Sequence, residues 1–247
     1  MLHKHYKDFD EAYFELNQDI LLHPEQIDYL ENTRGVIEDL FITLDNITCN
    51  KIDLAPLGYS LRKWDHLVKT YLDLDKLKEF YHLCEISKGI SIAFDFNRKK
   101  VGNGSCMREV ILTRNSRKKP WQKVRVIWRA TELQKRWAAD LILLHHLISK
   151  IPNSQITKIE FYVVSAYQSG MYVIPLVESV FGIPMESLDP TKSPYWKVIR
   201  YRNQKYFQPD SPRQKLSPAW KMQDVANAVR EGRKFEPITC KNFELEV

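Results

Sequence analysis

The sequence predicts a globular fold that combines α-helices with β-strands, and two observations support this prediction. Hydrophobic residues make up 44% of the 247 residues, which is enough to form a sizeable buried core. The spacing of the apolar residues also changes along the chain. It follows the helical period up to about Cys84 and alternates every second residue from Gly89.

Four helices are predicted in the first third of the chain, each from apolar residues that recur at helical spacing. They cover residues 7–22, the segment from Pro24 to Leu44, the segment from Ser60 to Tyr71 and the segment from Asp73 to Cys84. Ser60 is a typical N-cap residue, and so are Asp73 and Asp75. Asn46–Tyr59 contains a proline and a glycine and is predicted to be a connection.

Strands dominate the middle of the chain. They are recognised from two-residue alternation or from runs of β-branched and aromatic residues, and they cover Ile90–Phe96, Met107–Thr113, Val124–Trp128 and Ile156–Tyr167. A long helix is predicted from Thr131 to Ile148. Its His145-His146 pair has no carboxylate or cysteine at metal-ligand spacing, so we interpret the pair as structural.

The C-terminal region, residues 183–247, is rich in proline and basic residues. Its prolines exclude long regular elements, which leaves one predicted helix from Pro218 to Arg230. The preceding segment Met171–Phe181 is predicted to be helical at its end. No internal repeat marks a boundary, so we expect a single domain over residues 1–247.

Composition favours a cytoplasmic protein that binds an anion. No apolar run approaches the roughly 18 to 20 residues that span a bilayer, and the N-terminus is too polar for a signal peptide. We therefore expect no membrane association. The net charge of +6 favours a nucleotide, a folate polyglutamate or nucleic acid as partner. The four cysteines are widely spaced without a CxxC, so neither a metal site nor a dense disulfide framework is expected.

The stretch from Asn97 to Leu147 holds a thiol, a cation and a carboxylate. They are Cys106 in GNGSCM, Arg129 in IWRATEL and Asp140 in the long helix. With the strand that follows, this order resembles the thymidylate synthase family, and most closely its phage deoxycytidylate hydroxymethylase branch. The resemblance covers roughly residues 36–180. It implies an α+β fold with a large mixed sheet backed by helices, and a homodimer that packs sheet against sheet.

The resemblance also implies a role for each matched residue. Cys106 takes the place of the nucleophile, Arg129 that of the phosphate-binding arginine, and Asp140 that of the residue that reads the base, which is aspartate in the cytidylate enzymes. The remaining matches are Tyr167 and Ser169 for the sugar-binding pair, Trp64 for the tryptophan that lines the folate site, Glu38 for the catalytic glutamate, and Lys88 in what is left of the phosphate clamp.

The chemistry of this family explains why a cysteine is needed. Carbon 5 of a pyrimidine is not nucleophilic enough to attack a one-carbon donor, so a thiolate first adds to carbon 6. A nearby arginine favours the thiolate and also binds phosphate. The resemblance therefore implies a hydroxymethyl- or methyltransferase that uses 5,10-methylenetetrahydrofolate on a cytidylate-like nucleotide. Whether water or hydride completes the reaction stays open.

Several alternatives stay open at this point. Arg136 replaces a family glycine and Met107 follows the nucleophile, which also allows a catalytically silent relative that binds nucleotide or nucleic acid, or an enzyme that modifies a polymer. Asp140 has two further interpretations, a solvent-facing side chain or a partner of Arg136. Either Glu132 or Glu38 is suited to organising a proton-relay water.

Overall fold

The computed structural model describes residues 1–23, 28–30, 34–71, 73–96, 106–169, 176, 179–184, 231, 232, 234 and 236–242. The strands of this part are β1 (Leu2–Tyr6), β2 (Asp28–Leu30), β3 (Arg34–Leu44), β4 (Ser91–Asp95), β5 (Met107–Thr113), β6 (Trp121–Glu132) and β7 (Ser154–Ser169). Its helices are α1 (Phe9–Leu22), α2 (Leu61–Tyr71), α3 (Leu74–Ile86) and α4 (Arg136–Ser149). The predicted helix over residues 218–230 and most of the predicted segment 171–181 lie outside the described residues.

All of the described strands join one mixed sheet, which confirms the predicted α+β class. Their order is β1-β3-β7-β6-β5-β4, with β2 paired to β3. The pairs β1–β3 and β6–β7 are parallel, and the other described pairs are antiparallel. The strands β6 and β7 lie at the centre, and the carboxyl end of β7 is paired with β3 on one side and with β6 on the other.

One face of the sheet is covered by helices. Phe161 of β7 packs edge-to-face against Phe9 of α1 and Trp137 of α4, with ring centroids 6.0 and 5.3 Å apart. Trp128 of β6 packs against Trp137 at 6.2 Å. Successive residues of a strand point to opposite faces, so the other face carries residues such as Val164, which is 43% exposed. None of the helices in the described ranges has the length and hydrophobicity to cross a bilayer.

Three predicted helices are confirmed, and the caps predicted for two of them, Ser60 and Asp73, are confirmed as well. The helix α1 falls within the predicted range 7–22, and Asp8 accepts a hydrogen bond from the N–H of Glu11 at its start. At the start of α2, the hydroxyl of Ser60 accepts from the N–H of Lys63 at 3.3 Å. Asp73 caps α3 as its side chain accepts from the first turn of that helix. Satisfying the first N–H groups is what makes these residue types good helix starts.

The predicted helix between Pro24 and Leu44 is wrong. Its described residues form β2 and β3, and β3 is hydrogen-bonded along both edges, to β1 and to β7. Leu40, Ile42 and Leu44 are fully buried at two-residue spacing, as expected for one face of a strand. The prediction failed because the neighbouring apolar residues Ile37 and Phe41 also fit helical spacing, and because strand partners come from distant parts of the chain.

The helix predicted to begin at Thr131 also starts later than expected. The strand β6 continues to Glu132, and α4 begins at Arg136. Arg129 therefore lies within a strand and does not open the helix. The continuing pairing with β7, in which Ala130 lies opposite Ser165, keeps this segment extended.

Arg114 anchors the turn between β5 and β6. Its replacement by alanine is expected to lower the free energy of unfolding by about 2–4 kcal/mol. The side chain is 7% exposed, donates to the carbonyls of Ser87 and Gly89 at 2.6 and 2.8 Å, and lies 4.2 Å from the Trp121 ring centroid. Its removal leaves buried carbonyls without a donor. Urea unfolding measures the loss, and the exposed Arg117→Ala in the same loop serves as control, with an expected change below about 0.5 kcal/mol. Equal effects of the two variants would contradict this role.

Candidate active site

Neighbouring strands bring Cys106, Arg129 and Glu38 to one level of the sheet. The carbonyl oxygen of Cys106 accepts a hydrogen bond from the N–H of Arg129 at 2.8 Å. One residue further along β6, Ala130 lies opposite Ser165 of β7, and Ser165 lies opposite Glu38 of β3. Neighbouring strands are about 4.8 Å apart, so three strand spacings, about 14 Å, separate Glu38 from Cys106.

Tyr167 and Ser169, the residues predicted to bind a sugar, lie at the same end of the sheet. Tyr167 lies opposite Glu132 of β6 and Val36 of β3, and its carbonyl accepts from the N–H of Leu133 at 2.9 Å. Ser169 is the last residue of β7, and its side chain lies outside the described residues. Both positions are at the carboxyl end of β7, two and four residues after Ser165, which lies opposite Ala130 of β6.

Asp140 is connected to this end of the sheet by a buried hydrogen bond. The hydroxyl of Thr131, two residues after Arg129, donates to Oδ2 of Asp140 at 2.7 Å. Asp140 is 2% exposed, so the interpretation as a solvent-facing side chain is wrong. Burial raises the pKa of Asp140 to about 7, against the Thr131 hydrogen bond and the charge of Arg136, which lower it. A carboxyl group with such a pKa can bind or release a proton near neutral pH.

Glu132 has a structural task that the sequence did not reveal. It is 1% exposed, and its carboxylate accepts from the N–H groups of Gln134, Lys135 and Arg136 at 3.2, 2.9 and 3.3 Å. These N–H groups belong to the turn before α4 and to its first residue, and such groups lack partners within the helix. Glu132 therefore fixes the start of the helix that carries Asp140. Glu38 is exposed, and its relay role stays a prediction.

Helix α1 supports the same turn from the other side. The hydroxyl of Tyr13 donates to the carbonyl of Gln134 at 2.7 Å, and Nδ2 of Asn17 donates to the carbonyl of Leu133 at 3.0 Å. Both side chains are buried. The residues on either side of the turn, Thr131 and Asp140, are consequently held at a fixed separation. Sequence spacing does not show these contacts, since more than a hundred residues separate the partners.

A cationic group also adjoins this turn and was missed by the sequence analysis. The Lys135 ammonium lies 4.9 Å from the centroid of the Tyr59 ring. The pKa of Lys135 is lowered to about 8, mainly by burial and further by the charges of Lys63 and Arg136. The charge of Glu132 raises it. Cations this close to one another repel, so an anionic ligand bound between them would be stabilised.

Trp64 and Lys88 are the two remaining residues predicted for this site. Trp64 is 1% exposed and belongs to the hydrophobic core, so its indole ring offers no open face. Lys88 is exposed and precedes Gly89, which binds Arg114 at the opposite end of β6. Trp121 at that end and Arg129 are separated by about 26 Å of strand. The role of Lys88 stays a prediction.

The four cysteines divide into a disulfide and two free thiols. Cys49 and Cys240 are bonded to each other, whereas Cys84 and Cys106 are free. Burial raises the pKa of Cys84 to about 12, which makes it a poor nucleophile at neutral pH. Cys106 is only partly buried. It is therefore the free thiol that a substrate can reach.

Comparison with known proteins finds a similar solved structure but no matching family model or curated protein. No protein-family model matches the sequence, and no curated protein matches it significantly. Among solved structures, the chain is similar to the thermostable thymidylate synthase A from Bacillus subtilis. The two share 10% identity, the similarity covers 69% of this chain and 83% of that chain, and the TM-score is 0.42. At this level of similarity, the match identifies no residue of this chain as part of a site.

Proposed function

We propose that this protein transfers a one-carbon unit to carbon 5 of a cytidylate-like pyrimidine nucleotide, with Cys106 as the covalent catalyst. The observation that carries this proposal is the arrangement around β6. Its backbone holds Arg129 beside Cys106, and Thr131, two residues later, binds the buried carboxyl group of Asp140. Hydrogen bonds thus link a residue with a thiol and a carboxyl group with a pKa near 7 to the short segment that carries Arg129.

The reaction begins at the sulfur atom. The thiolate of Cys106 forms a bond to carbon 6 of the pyrimidine, and the electron pair of the 5,6 double bond moves to carbon 5. Carbon 5 then acts as the nucleophile toward the one-carbon donor. Loss of the proton on carbon 5 and cleavage of the carbon–nitrogen bond that joins the one-carbon unit to its donor leave a methylene group on carbon 5. Addition of water or hydride to this methylene restores the 5,6 double bond, and the bond between carbon 6 and sulfur breaks to release the thiolate. Arg129 stabilises the thiolate and binds the phosphate of the nucleotide.

Asp140 selects the base in this proposal. A cytosine presents an exocyclic amine that donates and a ring nitrogen that accepts a hydrogen bond. A carboxyl group with a pKa near 7 can accept from the amine and share its proton with the ring nitrogen. Uracil presents the reverse pattern at these two positions, and an amide suits it better. The aspartate at position 140 therefore favours a cytidylate.

The donor implied by this chemistry is 5,10-methylenetetrahydrofolate, which would supply the one-carbon unit when bound. Its glutamate carboxylates and flat pterin ring require cations beside an aromatic surface. Lys63, Lys135 and the ring of Tyr59 form such a set next to the start of α4. These residues, rather than the fully buried Trp64, are the ones suited to holding the donor.

Tritium release tests the proposed activity directly. Protein, methylenetetrahydrofolate and [5-³H]dCMP are incubated, and the release of tritium into water is measured. We expect release that requires both the protein and the folate, and that is faster with dCMP than with dUMP. Absence of release from dCMP, CMP and cytosine-containing oligonucleotides alike would reject the enzymatic proposal. Release from the oligonucleotide alone would indicate that the substrate is a polymer and not a free nucleotide.

We further propose that the open face of the sheet forms a homodimer interface. A row of residues crosses this face in register, from Glu109 through Ile127, Tyr162 and Phe41 to His3. Its three central members are apolar or aromatic and only half-buried in the single chain. An apolar surface of this kind is self-complementary about a two-fold axis, so a second copy of the chain can cover it.

Ile127→Glu is expected to weaken such a dimer by at least about a hundredfold in Kd, because an unpaired charge would be buried at the centre of the interface. Sedimentation velocity over a range of protein concentrations measures the change. Ile90→Glu is the matched control, since Ile90 is 56% exposed and lies outside this row. A wild-type protein that stays monomeric at high micromolar concentration would contradict the dimer without affecting the catalytic proposal.

A further inference from the structure

A second group of reactive side chains lies far from Cys106 in the fold. Cys49 follows β3, His145 belongs to α4, and Cys240 lies near the C-terminus. One ligand atom from each of them falls within 4.8 Å of the other two. Cys49 is buried, and the other two are half-buried. The cysteines are joined as a disulfide with a Cα–Cα distance of 6.1 Å.

We propose that Cys49, Cys240 and His145 form a Zn²⁺ site when the disulfide is reduced. Two thiolates and one imidazole are a typical donor set for zinc, with bonds of about 2.3 Å to sulfur and about 2.0 Å to nitrogen. In a tetrahedral site, two such sulfur ligands lie about 3.8 Å apart. The observed cluster is compact enough to reach this geometry through side-chain rotation alone. Three protein ligands leave the fourth position for water or an exogenous ligand.

The imidazole of His145 supplies an independent observation. Its Nδ1 atom is inaccessible to solvent and has no hydrogen-bond partner in the described part of the chain. A buried polar atom without a partner costs free energy, and such atoms are rare in folded proteins. A bond to a metal would satisfy this nitrogen. The disulfide alone does not, since it offers no proton and no cation to the ring.

The loop that carries Cys49 is held without help from the sulfur–sulfur bond. The Asp10 carboxylate in α1 accepts from the N–H groups of Asn50 and Lys51, both at 2.9 Å, and from that of Ile52 at 3.3 Å. Asp10 is itself 6% exposed. Reduction of the disulfide therefore leaves Cys49 in place, one residue before this anchored backbone.

The C-terminal segment is fixed in a similar way. The N–H of Ile238 donates to Oδ1 of Asp53 at 2.9 Å, and the N–H of Leu54 donates to the carbonyl of Ile238 at 3.0 Å. Ile238 is 2% exposed, so its side chain adds apolar contacts to these hydrogen bonds. Both thiols thus remain near His145 after reduction, as a preformed metal site requires.

The exchange between the two states is balanced in atoms and electrons. A dithiol reductant transfers two electrons and two protons to the disulfide, giving two thiols and the oxidised dithiol. Zn²⁺ then binds the two thiolates and His145, and two protons are released to solvent. The metal and the disulfide exclude each other, because each uses both sulfur atoms. In a reducing compartment, the thiol form is the one available.

Cobalt binding to the full chain tests this site. The protein is reduced, freed of metal and titrated with Co²⁺, whose bonds to thiolates give charge-transfer bands in the near ultraviolet and whose tetrahedral sites absorb in the visible range. We expect one equivalent to bind the reduced protein and none to bind the oxidised protein. Zn²⁺ added afterwards should displace the cobalt. Reduced protein that binds no cobalt with thiolate character would overturn the proposal.

His145→Gln separates a metal site from a disulfide alone. This variant keeps both cysteines, so its capacity to form the disulfide, measured by intact mass, reports that the fold is preserved. We expect its affinity for Co²⁺ to fall by more than the roughly 10- to 100-fold that loss of an outer partner of a metal ligand costs. His146→Gln is the matched control and should bind as the wild type does. Equal affinities of His145→Gln and wild type would also overturn the proposal.

Discussion

Replacing Cys106 with alanine is expected to abolish tritium release from carbon 5 of the cytidylate substrate, with a loss of more than about a thousandfold in kcat. Without the thiolate, no bond forms at carbon 6, and carbon 5 stays too weak a nucleophile to react. Arg129 and Asp140 remain in the variant, but neither can replace a covalent catalyst. Tritium release under saturating nucleotide measures the effect.

Cys84→Ala provides the matched control for this variant. Cys84 is buried, and its thiol has a pKa of about 12, so its removal should leave kcat unchanged even if stability falls. Nucleotide binding by Cys106→Ala, followed as a thermal shift, shows whether the pocket is intact. Retained release by this variant would exclude Cys106 as the nucleophile. Nucleotide binding by a wild-type protein without any release would instead support the catalytically silent relative.

Local sequence signals predicted the helices of this fold better than the strand β3. The helices α1 and α3 start at Asp8 and Asp73, whose short side chains accept hydrogen bonds from the first turn. Such caps act within a few residues and can be read from the sequence. The strand β3 is stabilised by β1 on one edge and by β7, more than a hundred residues away, on the other. Local spacing cannot report this pairing, which decided the structure of residues 34–44.

The candidate site itself stays a prediction, but part of its surroundings was missed for a similar reason. The residue types and order of Cys106, Arg129 and Asp140 were sufficient to single them out. The side chains that position them were not predicted, because Thr131 and Tyr13 have no unusual feature in the sequence. Their importance comes from single hydrogen bonds, one to Asp140 and one to the carbonyl of Gln134. Contacts of this kind depend on the assembled sheet and helices.

Asp140→Asn is expected to reverse the base preference, so that the ratio of kcat/KM for dCMP over that for dUMP falls by about 10- to 1000-fold. An asparagine amide donates where the protein must accept from the cytosine amine, and it accepts where uracil donates. A buried polar mismatch costs enough free energy for discrimination of this size. The Thr131 hydroxyl can still donate to the amide oxygen, so the side chain keeps its position. An unchanged ratio would exclude Asp140 from base recognition.

The same substitution is expected to remove a pH dependence of stability, which links the chemistry of Asp140 to the fold. Burial raises its pKa from 3.8 to about 7, so between these values the folded state holds a proton that the unfolded state has lost. The stability that this proton contributes is complete below pH 3.8 and is lost as the pH rises through about 7. The free energy of unfolding of the wild type should therefore fall by about 2–3 kcal/mol between pH 5 and pH 8. In Asp140→Asn, this decrease should be absent. Urea unfolding at each pH measures both. The exposed Glu85→Gln is the control and should follow the wild type. If wild type and Asp140→Asn show the same pH profile, Asp140 is ionised throughout this range and cannot share a proton with cytosine.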